Sequence, residues 1–434
     1  MQPNITLDQI NKNSKYKLIA SVVVGNTLEY IDFITFIFLA PIIADLFFPK
    51  QHPELATMLT YTTIVITYLF RPIGGIIFGN IGDKYGRKTV LGFTILLMAI
   101  PSFIIGILPT FKEIGYFAPA ILILMRILQG CSIGGEVPGS ITYVVENFRH
   151  KNYMLHCAML TCGANIGIVV GSQVVSFLIN HTSPVFIYTI GWRIPFLGGG
   201  LLAIIGFYIR IFLTESEEFI NLRATKKISK VPFFALLKDF NSEIISGILL
   251  CMIVSLTTSI FHVFLPGLLV KHYSFRLAAA TNFSSIGAAT MAIFSLFFAW
   301  ITKYIAPIKI TYIAVIGLIS LLLVILIFGD NLRLEEKNLA HLYGVVFICG
   351  ILIAGINGLF FGLLADLFPT NVRYSGISAC YNIAYILGAS STPLWASELI
   401  IISESSYKYI IAVCFIFLLV FTSLFKPQTG ISVR

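Results

Sequence analysis

Gly79-Asn80-Ile81-Gly82-Asp83-Lys84-Tyr85-Gly86-Arg87-Lys88 joins two long apolar runs, and the fold turns on how this stretch is read. Its three glycines permit a tight turn between two helix ends. Asp83 and Arg87 can clamp that turn against a neighbouring helix terminus. An ordinary basic loop on the inner side of a membrane explains the lysines and the arginine. It does not explain glycines at this spacing with an acid among them.

Working outward, the flanking runs are too apolar for water. Hydrophobic residues make up 57% of the chain and charged residues 11%, and the mean hydropathy is +0.91. Soluble domains are nearer 45–50% apolar with about a quarter charged, and a soluble fold of this composition would leave large apolar patches in water. Lipid must therefore surround most of the surface. A bilayer core of roughly 30 Å takes about 20 residues of helix, and 244–270, 277–302, 310–329 and 338–365 each satisfy that with no Asp, Glu, Lys or Arg. The run 152–192 is too long for one span and divides at Asn180-His181-Thr182-Ser183-Pro184. Twelve helical spans are expected, at 17–48, 54–80, 88–109, 116–146, 152–180, 187–213, 241–271, 278–303, 308–329, 338–368, 373–402 and 407–426. The fold class is an all-α membrane protein.

The charge of +9 belongs to short loops, as orientation determinants do, and not to a nucleic-acid face. With the N-terminus inside, nineteen of the 29 basic residues lie on the cytoplasmic side and eight outside, while Arg71 and Arg126 fall within spans. Both termini are expected to be cytoplasmic. The N-terminal stretch has no cleavable leader pattern, so the first span is expected to serve as its own insertion signal. The longest connection carries both signs of charge and divides the spans six and six. This gives an N-terminal bundle at 1–213, a cytoplasmic linker at 214–240 and a C-terminal bundle at 241–434. Span four ends in Glu146-Asn147-Phe148 and span ten in Asp366-Leu367-Phe368, an echo expected of two parallel six-helix repeats. The seven cysteines all sit in apolar stretches with no C-x-x-C pair, which argues against a disulfide framework or a metal site.

With these residues in view, the chain resembles the major facilitator superfamily, whose signature loop joins helices two and three. Within it, Gly25-Asn26-Thr27-Leu28-Glu29-Tyr30-Ile31-Asp32-Phe33 is similar to the first helix of the metabolite–proton symporter family. So are Arg71-Pro72-Ile73-Gly74-Gly75, Arg126-Ile127-Leu128-Gln129-Gly130, Gly134-Gly135-Glu136, Gly191-Trp192-Arg193-Ile194-Pro195-Phe196 and Leu367-Phe368-Pro369-Thr370-Asn371-Val372-Arg373-Tyr374-Ser375-Gly376. Three departures stand out. The loop Trp300-Ile301-Thr302-Lys303-Tyr304-Ile305-Ala306-Pro307 lacks the acid and glycines of a second signature loop. Val137-Pro138 replaces an aromatic–glycine pair, and Pro138 should kink its helix. The coiled-coil extension of some osmosensing members is not among these residues.

Charges at bilayer depth are costly and mark function. Glu29 lies 12 residues beyond Lys17, roughly 18 Å into the membrane. Asp32 follows one turn later on the same face, and Arg126 reaches a similar depth from the other side. One acid can stay ionised beside the arginine while the other exchanges a proton, so Glu29, Asp32 and Arg126 are the candidate coupling groups. A static ion-pair cluster that only fixes helix packing is the alternative. Arg126, freed by protonation, can take a substrate carboxylate bidentately. Tyr30, Phe33, Asn165, Phe261 and His262 are the other candidate substrate contacts, the aromatics through cation–π contact with a quaternary amine. Arg71 and Glu136 are expected to pair near the cytoplasmic face as part of a gate, whether structural or mobile. Gly79, Asp83, Gly86 and Arg87 should form the latch between the bundles that the resemblance implies. Gly163, Gly167 and Gly171 read as a packing seam.

The expected function is a proton-coupled symporter working by alternating access. It would import a zwitterion such as proline or glycine betaine, with an organic-acid symporter (2-oxoglutarate, citrate, shikimate) as the alternative. The isoleucine at 168, where family antiporters place a proline, disfavours a cation exporter. Short outer loops disfavour a polytopic membrane enzyme. No cofactor is expected, the proton gradient supplying the energy. The expected partners are the solute, protons and the bilayer of a bacterial inner membrane, with the protein acting as a monomer.

Overall fold

The computed structural model describes residues 7–48, 53–149, 152–211, 213–225, 232–271, 275–328 and 339–391. Within them the chain is helical throughout, and no strand occurs among the described residues. The long helices are α1 (Leu7–Phe47), α2 (Pro53–Tyr85), α3 (Arg87–Ile107), α4 (Phe117–Phe148), α5 (Tyr153–His181), α6 (Arg193–Ile211), α7 (Asn241–Ser259), α8 (Leu277–Ile301), α9 (Pro307–Phe328), α10 (Leu339–Asn357) and α11 (Arg373–Tyr385). Nine segments among the described residues are long and apolar enough to cross a membrane, and Pro307–Leu323 is a shorter apolar helix. The span expected at 407–426 and the end of the one at 373–402 lie outside the described residues.

Helix boundaries follow from local chemistry. Pro53 opens α2, where its missing N–H costs nothing. The expected turn at 79–88 is shorter than its glycines imply. α2 continues helically to Tyr85, and Gly86 alone breaks it, at φ 118°, a conformation that favours glycine. The first amides of α3 are capped from a distance, since Glu215 accepts from Arg87 N at 3.0 Å and Lys88 N at 3.3 Å. α4 runs uninterrupted through Pro138. Three short π-helical turns, Ile187–Gly191, Ile260–Phe264 and Ile386–Ser390, interrupt or extend the helices; such turns are common at functional positions.

Small residues set the closest helix contacts. Side chains at Gly163, Gly167 and Gly171 of α5 would run into Val23, Thr27, Ile31 and Ile34 of α1, so the ladder is a packing seam. Gly130 and Gly134 of α4 meet the carbonyls of Thr67 and Arg71 on α2 in the same way. The two halves join along two seams. On one, Ser172 and Gln173 of α5 bond Ser285 of α8 at 2.7 and 2.8 Å. On the other, Ser378 and Asn382 of α11 donate to backbone carbonyls of Gly75 and Gly134 at 2.9–3.1 Å. Two linker helices, Glu217–Ala224 and Pro232–Asp239, lie over one face of the bundle. Phe93, Phe177, Ile293 and Ile313 are among many large apolar side chains left exposed on the outside, as lipid contact requires.

Candidate functional site

A small cavity of about 30 Å³ lies between the two halves. It is room for one water, so the halves are closed around it. Glu29, Tyr30 and Phe33 reach it from α1, Tyr68 and Arg71 from α2, and Ser255, Thr258 and Ser259 from α7. His262 enters from the π-turn after α7 and Tyr385 from the end of α11. Both charged residues are buried, Glu29 at 3% exposure and Arg71 at 4%. Neither is saturated: Glu29 Oε2 and Arg71 Nε have no hydrogen-bond partner among the described residues. His262 Nδ1 contacts Ser284 Oγ at 3.2 Å, and its Nε2 has no partner there either.

The expected triad of Glu29, Asp32 and Arg126 is divided between two sites. Asp32 faces α3 and α4, where it accepts from Ser102 Oγ at 2.8 Å and Gln129 Nε2 at 3.0 Å. Arg126 Nη1 lies 3.6 Å from Asp32 Oδ2, and the guanidinium stacks over the Phe36 ring. Arg126 Nε and Nη2 have no hydrogen-bond partner among the described residues. Glu29, one turn earlier, turns instead toward Arg71 and the cavity. Helical spacing placed the two acids on one face, but three residues advance about 300° around a helix, enough to send them to different neighbours.

Arg71 and Glu136 do not pair. Glu136 meets Arg210 of α6 at 2.5 Å and accepts from Thr94, while Arg71 sits among aromatic rings at the cavity. Arg210 belongs to α6, so spacing along α2 and α4 alone gave no sign of it. Arg126, expected to meet a solute carboxylate, does not line this cavity. Asn165 donates to Thr161 O within its own helix, and Phe261 packs over Gly287, so neither reaches the cavity. Tyr30, Phe33 and His262 do reach it. Tyr68 and Tyr385 were not singled out from sequence, because aromatics are too frequent here for one ring to be distinctive.

On the linker-bearing face a second polar cluster bridges the halves. Asp83 accepts from the amides of Tyr374 and Ser375, at 3.3 and 2.9 Å, at the first turn of α11, where helix N–H groups are free to receive an anion. Arg87 reaches Asp83 at 3.2 Å, Glu146 at 2.8 Å and Thr370 O at 2.8 Å. Arg373, from the opposite half, closes on Glu146 at 3.4 Å and on Glu218 at 2.8 Å. Glu218 also accepts from Thr370 Oγ1. Although partial burial opposes it, the Arg373 guanidinium holds the Glu218 carboxyl below the usual carboxylate range. Gly79 is part of the same contact, since a Cβ there would sit 3.1 Å from Ser375 Cα. Gly86 admits Glu215 beside the cluster. The acids of the linker, Glu215 and Glu218, were missed because mixed charge in a connection resembles ordinary solvated surface. Among the described residues no comparable clasp forms in the second half, where Asp366 is held by the Tyr153 hydroxyl at 2.6 Å. Nor, among the described residues, is any cluster of His, Cys, Asp or Glu arranged to hold a metal.

These features have counterparts in known proteins. The model of the Major Facilitator Superfamily matches residues 22–393. The chain belongs to the major facilitator superfamily. Membership makes it a transporter rather than an enzyme, with the superfamily's twelve-helix architecture of two six-helix repeats. A Staphylococcus haemolyticus protein named "Putative proline/betaine transporter" is 32% identical over 432 residues, covering 99% of this chain and 91% of its own. The inner membrane metabolite transport protein YhjE of Escherichia coli is 30% identical, covering 89% of this chain and 88% of its own. Among solved structures, the MFS proton:xylose symporter XylE bound to 6-bromo-6-deoxy-D-glucose superposes with a TM-score of 0.77 at 14% identity, covering 96% of this chain and 97% of the other. This facilitator is a multi-pass membrane protein that carries a small molecule.

Proposed function

We propose that this facilitator is a proton-coupled symporter that imports a small zwitterion of the proline or glycine betaine type. The observation that carries the reading is that Glu29 and Arg71, each with an unpartnered polar atom, both line the cavity between the halves. A zwitterion has one group for each. The relatives named for proline and betaine transport agree with this choice. Arg71 takes the part first expected of Arg126. Asp32 is the coupling acid: it is buried, lies one turn from the cavity acid and is held by Ser102, Gln129 and Arg126. Taking up a proton there frees Arg126 and loosens contacts among α1, α3 and α4, which links protonation to movement of the first half.

The Asp83–Arg87–Glu146–Arg373 cluster is the gate on the cytoplasmic side. With it closed the solute leaves or enters only from the other face, and breaking it exposes the cavity inward. Both termini and the linker are cytoplasmic in this reading, the membrane is the inner membrane of a bacterium, and one chain suffices for transport. Energy comes from the proton gradient without a cofactor. The test is uptake of labelled solutes into proteoliposomes with an imposed inward proton gradient. Accumulation of betaine or proline that collapses with a protonophore is expected. Accumulation of 2-oxoglutarate or citrate instead would select the organic-acid reading, and no gradient-dependent accumulation of either class would overturn the symport reading.

A further inference from the structure

Arg71 is wrapped by rings on several sides. Its guanidinium carbon lies 4.2 Å from the centroid of Tyr68, 5.5 Å from that of Tyr385 and 5.6 Å from that of Phe33. Phe33 and Tyr68 meet edge to face at 5.8 Å. Tyr381 packs against Tyr385 at a tilt, with centroids 4.3 Å apart, and its hydroxyl meets that of Tyr30 at 3.4 Å. The Glu29 carboxylate, with a free oxygen, lines the same space. Rings whose faces surround a cation, with a carboxylate nearby, form the arrangement that binds methylated ammonium ions. Arg71 is the cation in it.

We infer that this is an onium-binding cage shared in turn by the solute's quaternary ammonium group and by Arg71, which acts as a tethered competitor. The inference rests on the central cavity being the solute site and specifies how that site recognises its ligand. When a methylated zwitterion enters, its ammonium group takes the place among the rings beside Glu29. The displaced guanidinium, no longer sharing the rings, meets the solute's carboxylate. Two of the rings come from the first half and Tyr385 from the second, so the cage is complete only with the halves together. A cation among the rings therefore favours the closed form. The solute supplies it on the loaded step, and Arg71 supplies it on the return step, when no solute is aboard.

The experiment measures binding of radiolabelled tetramethylammonium, an onium ion with no carboxylate, to the purified full-length chain in detergent. Wild type is expected to bind it poorly, and Arg71→Gln at least about tenfold more tightly, with Tyr68→Leu added to Arg71→Gln reversing most of that gain. Arg71→Gln that remains monodisperse with an unchanged melting temperature but binds no better than wild type overturns the cage. If Arg71→Gln does not fold, wild type decides. Radiolabelled trimethylated glycine is then expected to bind wild type roughly tenfold more tightly than radiolabelled unmethylated glycine, a preference that Tyr385→Leu removes. Equal affinity for the two overturns the inference. Onium binding without gradient-driven uptake would overturn the transport reading alone, and uptake with no onium preference would overturn the cage alone.

Discussion

Replacing Glu146 with Gln should open the linker-bearing face. The carboxylate is fully buried and accepts from Arg87 Nη2 at 2.8 Å and from Ser216 at 2.5 Å, with Arg373 at 3.4 Å. Removing one partner from a buried ion pair costs about 3–5 kcal/mol. The lower end applies here, because Arg87 keeps Asp83 and two carbonyls, and Arg373 keeps Glu218. Arg87 and Ser216 belong to the first half and its linker, so their share of that cost falls on both forms. Only the Arg373 contact of Glu146 crosses between the halves, and about 1.5 kcal/mol is lost from the closed form alone. That shifts the closed-to-open ratio roughly tenfold. Ser378, 2% exposed and bonded across the seam to Gly75 and Gly134, reports on it. In a background with the native cysteines replaced, Ser378→Cys should react with a bulky maleimide roughly ten times faster when Glu146→Gln is present. A rate within about threefold of the parent, in a protein that still folds, would refute the assignment of this cluster as the bond that holds the face shut.

Three further outcomes are expected. Asp32→Asn should abolish gradient-driven accumulation in proteoliposomes while solute exchange across the membrane persists; accumulation at the wild-type level removes Asp32 as the coupling group. Gly167→Leu forces a side chain into Thr27 and Tyr30 of α1, an overpacking cost of about 1–3 kcal/mol or more, and should lower the melting temperature by several degrees; an unchanged melting curve would mean the seam is slack. Glu218 is held below its ordinary pKa by Arg373, so its contribution to closure is fully present above the usual carboxylate value of about 4.3 and is lost only as pH falls through the lower bound-state value. Only the thiolate reacts, so the labelling rate at Ser378→Cys is divided by that of an exposed thiol at the same pH, and this ratio should stay flat from about pH 8 to about pH 5 as far as Glu218 is concerned. A Glu218→Gln variant that removes a pH step in that window would contradict this.

The architecture was legible because lipid demands uniform apolar runs, and the latch because glycines, an acid and an arginine at fixed spacing allow few other readings. The site was legible only in part. Glu29 and Asp32 stand out as acids in an apolar helix, yet spacing along one helix gives no information on which neighbour each will meet, and they went to different ones. Arg71 was assigned to the wrong neighbourhood for the same reason. Its depth along α2 was estimated, but of its ring partners only Tyr68 is on α2, while Phe33 and Tyr385 come from α1 and the end of α11, far before it and far after it in the chain. Arg210 falls near the end of the span expected at 187–213 and drew no notice there, although α6 carries it into the bundle, where it meets Glu136. Tyr68 and Tyr385 matter through the convergence of three helices, which leaves no mark on the sequence near either residue.

The absence of an acid at 302 has a practical side. In the second half the matching stretch contributes nothing to the clasp, and Tyr304 there is 76% exposed. Substitutions, short insertions or a fluorophore grafted between Lys303 and Ala306 should leave closure on this face unaffected. The equivalent change around Gly86 would disable it. One molecule thus offers two outwardly similar corners with opposite tolerance, and the tolerant one is a ready attachment point for watching the other move.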